Sequence, residues 1–149
     1  MSLSGRMMMA ACLAVLAACD GDPTGIRGER MELARARQLW ERQGTDDYRM
    51  TVRLTGAWFG GAAQIVVRDG VPVSVQPVDP GSGVTSDLFG AYDTVEELFA
   101  IVENAVAEGA DRLDAEYHTR LGVPVEVYVD FADWIDEEHG FIVEAFDRE

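Results

Sequence analysis

Asp69-Gly70, set between the alternating runs 63–68 and 71–76, commits the middle of this chain to an antiparallel hairpin. Pro72 falls at the head of the second strand, where a missing N–H is tolerated. Residues 48–55 alternate in the same way, with Met50, Val52 and Leu54 on one face and Thr51, Arg53 and Thr55 on the other. Residues 112–118, 125–131 and 141–146 supply three more strands, the last of which leaves an edge open to pairing.

Two segments carry the helical period instead. From Glu29, the residues Met31, Leu33, Ala36, Leu39 and Trp40 recur at steps of three and four, and Gly44 ends the run. Thr94 with Glu97 reads as a capping box, opening a helix with Val95, Leu98, Phe99, Val102, Ala105 and Val106 on one stripe. Glu96, Glu103 and Asn104 face the other way, and Gly109 closes this helix. The expectation is an α+β domain in the order α-β-β-β-α-β-β-β, an antiparallel sheet of about six strands with two helices on one face. Residues 79–92 remain as a long loop of the kind that is functional or mobile.

Each half reads as a helix followed by three strands, and Arg68–Val75 agrees with Arg120–Val127 at six of eight positions. Duplication explains this, and so does convergence, because hairpin turns and strands select Gly, Val and Pro anyway.

The start of the chain is not expected to belong to the fold. A single charge at Arg6, the apolar run 7–16 and Leu16-Ala17-Ala18-Cys19 read as a secretory signal over residues 1–18. The cysteine after Leu-Ala-Ala resembles a bacterial lipobox, in which the thiol of Cys19 receives diacylglycerol and the mature chain begins there. The apolar run is about half the roughly 20 residues that a spanning helix requires. Asp20 behind Cys19 resembles an inner-membrane retention signal, a rule that varies between lineages, so both membranes stay open. Residues 19–28 read as a flexible tether and 29–149 as a single domain, exported and held at a membrane.

Of 149 residues, 130 follow Cys19, enough for one core and too few for two. The only other cysteine, Cys12, leaves with the signal, so disulfides, thiolate metal sites and cysteine nucleophiles are excluded from the domain. There is no lysine, which removes Schiff-base chemistry and phosphate-loop lysines. Residues 27–42 carry five arginines against three glutamates, net +2, whereas residues 43–149 carry six arginines against 22 acids, net −16. So acidic a body excludes nucleic acid as a partner. The basic segment lies next to the anchor, within reach of phospholipid headgroups. The excess is small, and ordinary solvated arginines are the favoured reading of it.

Candidate chemistry is sparse. Asp130, Asp133, Asp136, Glu137 and Glu138, with His139 at the end, form one acidic concentration. Oxygen ligands from Asp133, Asp136 and Glu138 would suit calcium, although the spacing is not that of an EF-hand and a solvated acidic loop is the commoner outcome. A carboxylate-based hydrolase is a further alternative, and it requires burial to raise one partner. His118 is expected on the outward face of its strand with Asp114 and Glu116. Two histidines without cysteine make a poor zinc site, and no Gly-x-Ser-x-Gly or His-Glu-x-x-His occurs. Trp58 and Phe59, bracketed by glycines, are the candidate partner anchors, since aromatics dominate interface hot spots.

Trp40 with Tyr48 after it, Val67-Arg68-Asp69-Gly70, Glu97-Leu98-Phe99 and Gly122-Val123-Pro124 form a recognisable series with Val129-Asp130, Asp136-Glu137 and Gly140-Phe141. Over residues 30–146 the chain resembles a family of bacterial lipoproteins known only as a domain of unknown function, numbered 6174. Members often carry Cys-aromatic-Cys after the first strand. Here that place holds Ala57-Trp58-Phe59-Gly60, so a loop-closing disulfide is absent. The resemblance implies no activity. The reading of the sequence is therefore a non-catalytic, lipid-anchored module that binds an unknown protein or ligand at the cell envelope, with no cofactor.

Overall fold

The computed structural model describes residues 25–56, 60–79, 81, 83–131 and 138–149. Its elements are α1 (Ile26–Gln43), β1 (Tyr48–Gly56), β2 (Gly61–Arg68), β3 (Val71–Pro77), α2 (Val95–Glu108), β4 (Arg112–Tyr117), β5 (Pro124–Asp130) and β6 (His139–Arg148). A 3-10 turn at Ser86–Phe89 precedes α2. The strands form one six-stranded sheet in the order β3-β2-β1-β6-β5-β4, antiparallel throughout. Both helices cover one face of it, as the apolar periodicities require.

The alternation of β1 sets the two faces. Tyr48, Met50, Val52 and Leu54 are buried under the helices, and Arg49 and Arg53 are exposed on the other side. Ala63, Ile65 and Val67 continue the buried layer on β2, Val127 and Val129 on β5, and Phe141 on β6. Burying side chains such as Met50, Ile65 and Phe141 contributes roughly 1.5–3 kcal/mol each.

α2 buries all six residues of its expected stripe. Its first turn is satisfied from two directions, Thr94 Oγ1 accepting from Glu97 N at 3.1 Å and Tyr48 Oη accepting from Val95 N at 2.9 Å. These acceptors occupy two of the four amides that a helix start leaves unpaired.

Several expectations change. The last strand has no open edge: β6 lies between β1 and β5, and the sheet's edges are β3 and β4. The chain therefore crosses the core face from one edge to the other through 78–111 and returns to the centre at the end. The long loop is pinned in its second half, where Phe89 is fully buried and Tyr92 meets Phe141 edge-on at 5.9 Å. α1 starts at Ile26, inside the expected tether, although Gly28 costs helix about 1 kcal/mol. Ile26 packs on the core and offsets that cost. Met31, counted with the apolar stripe, is 58% exposed, and the buried side of α1 is Leu33, Ala36 and Trp40.

The two similar octapeptides occupy different joints. Asp69 and Gly70, at φ 51° and 72°, make the two-residue turn between β2 and β3. Arg120 to Gly122 belong to a longer turn between β4 and β5, so the match does not superpose one half on the other. What the octapeptides share is local: Pro72 opposite Val67 and Pro124 opposite Tyr117 both sit beside a register shift, where a strand accommodates proline.

Candidate functional site

An open concavity lies where α1 overhangs the edge strand β4. It is a cleft of about 400 Å³ with Ala36, Leu39, Ala115 and Tyr117 in its walls and Glu32, Arg35, Glu116, His118 and Thr119 around them. Its floor depends on Gly122. With φ +80° and a virtual Cβ only 2.1 Å from the Ala36 carbonyl oxygen and 2.9 Å from Leu39 Cβ, this position brings the β4–β5 turn against the backbone of α1. Gln43 Nε2 ties the same turn to the end of α1 by donating to the Arg120 carbonyl at 3.1 Å.

His118 is half-buried at this turn rather than on the outward face with Asp114 and Glu116. The register shift between Glu116 and Tyr117 breaks the alternation that predicted the outward position. Its Nδ1 accepts from the backbone N–H groups of Arg120 and Leu121, both at 3.3 Å, so that nitrogen is used in holding the turn. The imidazole thus shapes the cleft, and only Nε2 remains to meet a ligand.

Beneath the first turns of α1, Glu29 Oε2 and Tyr117 Oη are buried without a hydrogen-bond partner. Burial, and then the charges of Glu32 and Asp114, push the Glu29 carboxyl above the ordinary carboxylate value. Burial likewise raises the Tyr117 hydroxyl, with Glu29, Glu32 and Glu103 adding to the effect. The ring of Tyr117 stacks on Phe99 at 6.4 Å.

A smaller hollow of about 270 Å³ opens on the uncovered face of the sheet, lined by Arg112, Asp114, Glu116, Glu126 and Tyr128. Glu116 stands directly opposite Glu126 in the β4–β5 register. Both are exposed, so this facing pair lacks the burial that splits two carboxylates into acid and base. Arg112 bonds Asp114 at 2.7 Å and lies over the Tyr128 ring at 5.0 Å.

Of the residues singled out from sequence, Cys19, Trp58, Phe59, Asp133, Asp136 and Glu137 lie outside the described residues. Their flanks are placed. Gly56 pairs with His139, and the Glu138 carbonyl oxygen is 2.7 Å from a virtual Cβ at Gly56. The connections 57–60 and 131–138 therefore leave from adjacent strand ends, with Phe131 stacked on His139 at 6.2 Å. Among the described residues no three His, Cys, Asp or Glu side chains converge as metal ligands. No described helix is long and apolar enough to cross a membrane.

None of the cleft residues Ala36, Leu39, Ala115 and Gly122 was expected at a site: Ala36 and Leu39 read as part of a core-facing stripe and Gly122 as part of a turn. The only signal for them is the Gly-Val-Pro turn, which marks a bend without saying what packs on it.

A family of unknown function, DUF6174, matches residues 32–148. The chain belongs to this family. The DUF6174 match takes in all of the sheet and every residue lining the cleft. No curated protein and no solved structure matches the chain. DUF6174 membership identifies the domain and leaves its role to be argued from the side chains.

Proposed function

We propose that this protein is an exported, lipid-anchored binding module, non-catalytic, whose partner or ligand sits in the cleft between α1 and β4. Anchoring rests on Leu16-Ala17-Ala18-Cys19 and the apolar run before it. The binding part is carried by one observation, the makeup of the cleft: apolar walls from Ala36, Leu39 and Ala115 with a few polar groups at the rim. Ligand sites have this composition, and polar groups at the rim confer orientation. His118, the side chain best suited to proton transfer there, has one nitrogen committed to two backbone amides. Trp58 and Phe59 supply a second contact region in this reading, on the connection that follows β1.

The test is site-specific photocrosslinking in intact cells. A crosslinker at Thr119, on the cleft rim, should give a discrete adduct that Leu39→Arg abolishes, while one at Ala145 on the uncovered face should give none. Identical adducts from both positions would overturn the cleft as the contact. Turnover of envelope polysaccharide by the purified protein, abolished by Asp136→Asn or Glu137→Gln, would replace the binding reading with a hydrolase.

A further inference from the structure

α1 has a second, exposed face that borders the cleft at Arg35. Opposite its buried residues Leu33, Ala36 and Trp40, the helical step of about 100° brings Arg27, Met31, Arg35, Gln38 and Arg42 together, with Arg30, Ala34 and Glu41 beside them, all exposed. Of the five arginines on α1, only Arg37 turns inward, bonding Glu96, approaching Glu41 and Glu103 and covering the Phe99 ring. Outside α1, Arg49, Arg53, Arg68 and Arg112 each have a carboxylate partner and Arg148 bonds Gln43 Oε1, which leaves Arg120 as the one described arginine there with neither. Arg27, Arg30, Arg35 and Arg42 have none among the described residues. In a chain with 27 acidic residues against 12 basic ones, four unpaired arginines on one helix face are unexpected.

The fold itself accounts for only one of them. Arg42, in the last turn, complements the negative end of the helix dipole. Arg27 lies in the first turn, where that dipole disfavours a cation. Met31, 58% exposed amid the arginines, gains nothing from solvent. The opposing charges nearby are few: Glu41 is engaged with Arg37, and Glu32 is at the cleft rim.

We propose that this face of α1 lies on an anionic phospholipid surface, the arginines meeting headgroup phosphates and Met31 entering the interface. The proposal rests on the reading that Cys19 is the membrane anchor. The seven residue steps from Cys19 to Ile26 reach at most roughly 25 Å when extended, so α1 cannot leave the vicinity of that surface. Charge then sets the orientation. Residues 43–149, net −16, are repelled by anionic lipid, whereas α1 is attracted, so the domain stands with this helix down.

The experiment is sedimentation of residues 19–149 carrying Cys19→Ser, the mature chain without its lipid, with vesicles of phosphatidylcholine alone and of phosphatidylcholine with phosphatidylglycerol. Binding should rise with phosphatidylglycerol, against the sign set by the net negative charge. The variant Arg27→Gln/Arg30→Gln/Arg35→Gln/Arg42→Gln should lose that rise, by roughly fivefold for each arginine removed, with its melting temperature unchanged. Equal or weaker binding to the anionic vesicles overturns the proposal, as does a rise that survives in the variant. Binding to soluble heparin without vesicle binding also overturns it, pointing to an acidic polymer. Failure of the anchor reading is scored separately, by whether Cys19→Ser releases the protein from membranes in cells.

Discussion

Trp40 Nε1 donates to Glu96 Oε1 at 3.0 Å, so the indole that closes the core under α1 also holds the first turn of α2. The other carboxylate oxygen of Glu96 accepts from Arg37. Around this bond the Trp40 ring meets Tyr48 and Phe146 edge-on at 5.7 and 5.9 Å, which joins both helices to the central strands β1 and β6. The hydrophilic side of α2 is therefore part of the helix-helix joint.

Glu96→Ala should destabilise the domain by about 1–2 kcal/mol, because it leaves a part-buried indole N–H without an acceptor. Glu96→Gln keeps an acceptor and should cost less than half of that. Urea midpoints of the two variants decide it, and equal losses would mean that the charge on Arg37, not the indole bond, carries the effect.

Gly122 makes the cleft, and the fold should not tolerate a side chain there. Gly122→Ala combines a left-handed backbone with a collision against α1, and it should cost more than about 3 kcal/mol. Gly70 is the control, with φ +72° and open space around it. Gly70→Ala should cost only about 1–2 kcal/mol, the left-handed penalty alone. Chemical denaturation measures both, and comparable losses would contradict the close approach of the turn to α1.

Alkaline pH should unfold this protein early. Burial is the main cause that pushes the Tyr48 hydroxyl from 10.0 up to about 12, outweighing the Val95 amide that favours its ionised form. Burial raises Tyr92 and Tyr117 as well. An acid so raised holds its proton more tightly in the fold than in the unfolded chain, so its contribution is intact below pH 10.0 and is lost as pH climbs towards about 12. Urea midpoints should fall across that window. Tyr48→Phe should flatten part of the fall, at the cost of the Val95 acceptor, and an unaltered slope would contradict the assignment.

Glu29 carries the same sign at the acidic end. Its raised carboxyl contributes stability that is complete below the ordinary value of 4.5 and lost as pH rises through the folded value. Glu29→Gln should therefore raise the melting temperature at neutral pH and leave it unchanged at pH 3. A loss at neutral pH would mean that the carboxylate has a partner there.

The fold was legible wherever a local rule and the global packing agree. Asp69-Gly70, Thr94 and the α2 stripe each state their element and their face, and the alternation of β1 names the buried layer by residue. Strand order was not legible. Nothing in residues 139–148 says that they pair with β1, because the apolar residues of a central and an edge strand alternate alike. Met31 was misread because a period of three and four is shared by several overlapping stripes, and which one is buried depends on where the sheet lies; Ile26 was misread because Gly25 and Gly28 around it carry the composition of a tether. The cleft was hidden because it belongs to the overhang of a helix beyond a strand edge, a property of placement with no residue type of its own.

The central claim is an anchored binding domain, and its most direct test is the mass and first residue of the chain purified from its native cell. The mature chain should begin at Cys19, carry the added mass of diacylglycerol with or without a further acyl chain, and sediment with membranes. A mature chain beginning elsewhere, or one with an unmodified Cys19 in the soluble fraction, would contradict it.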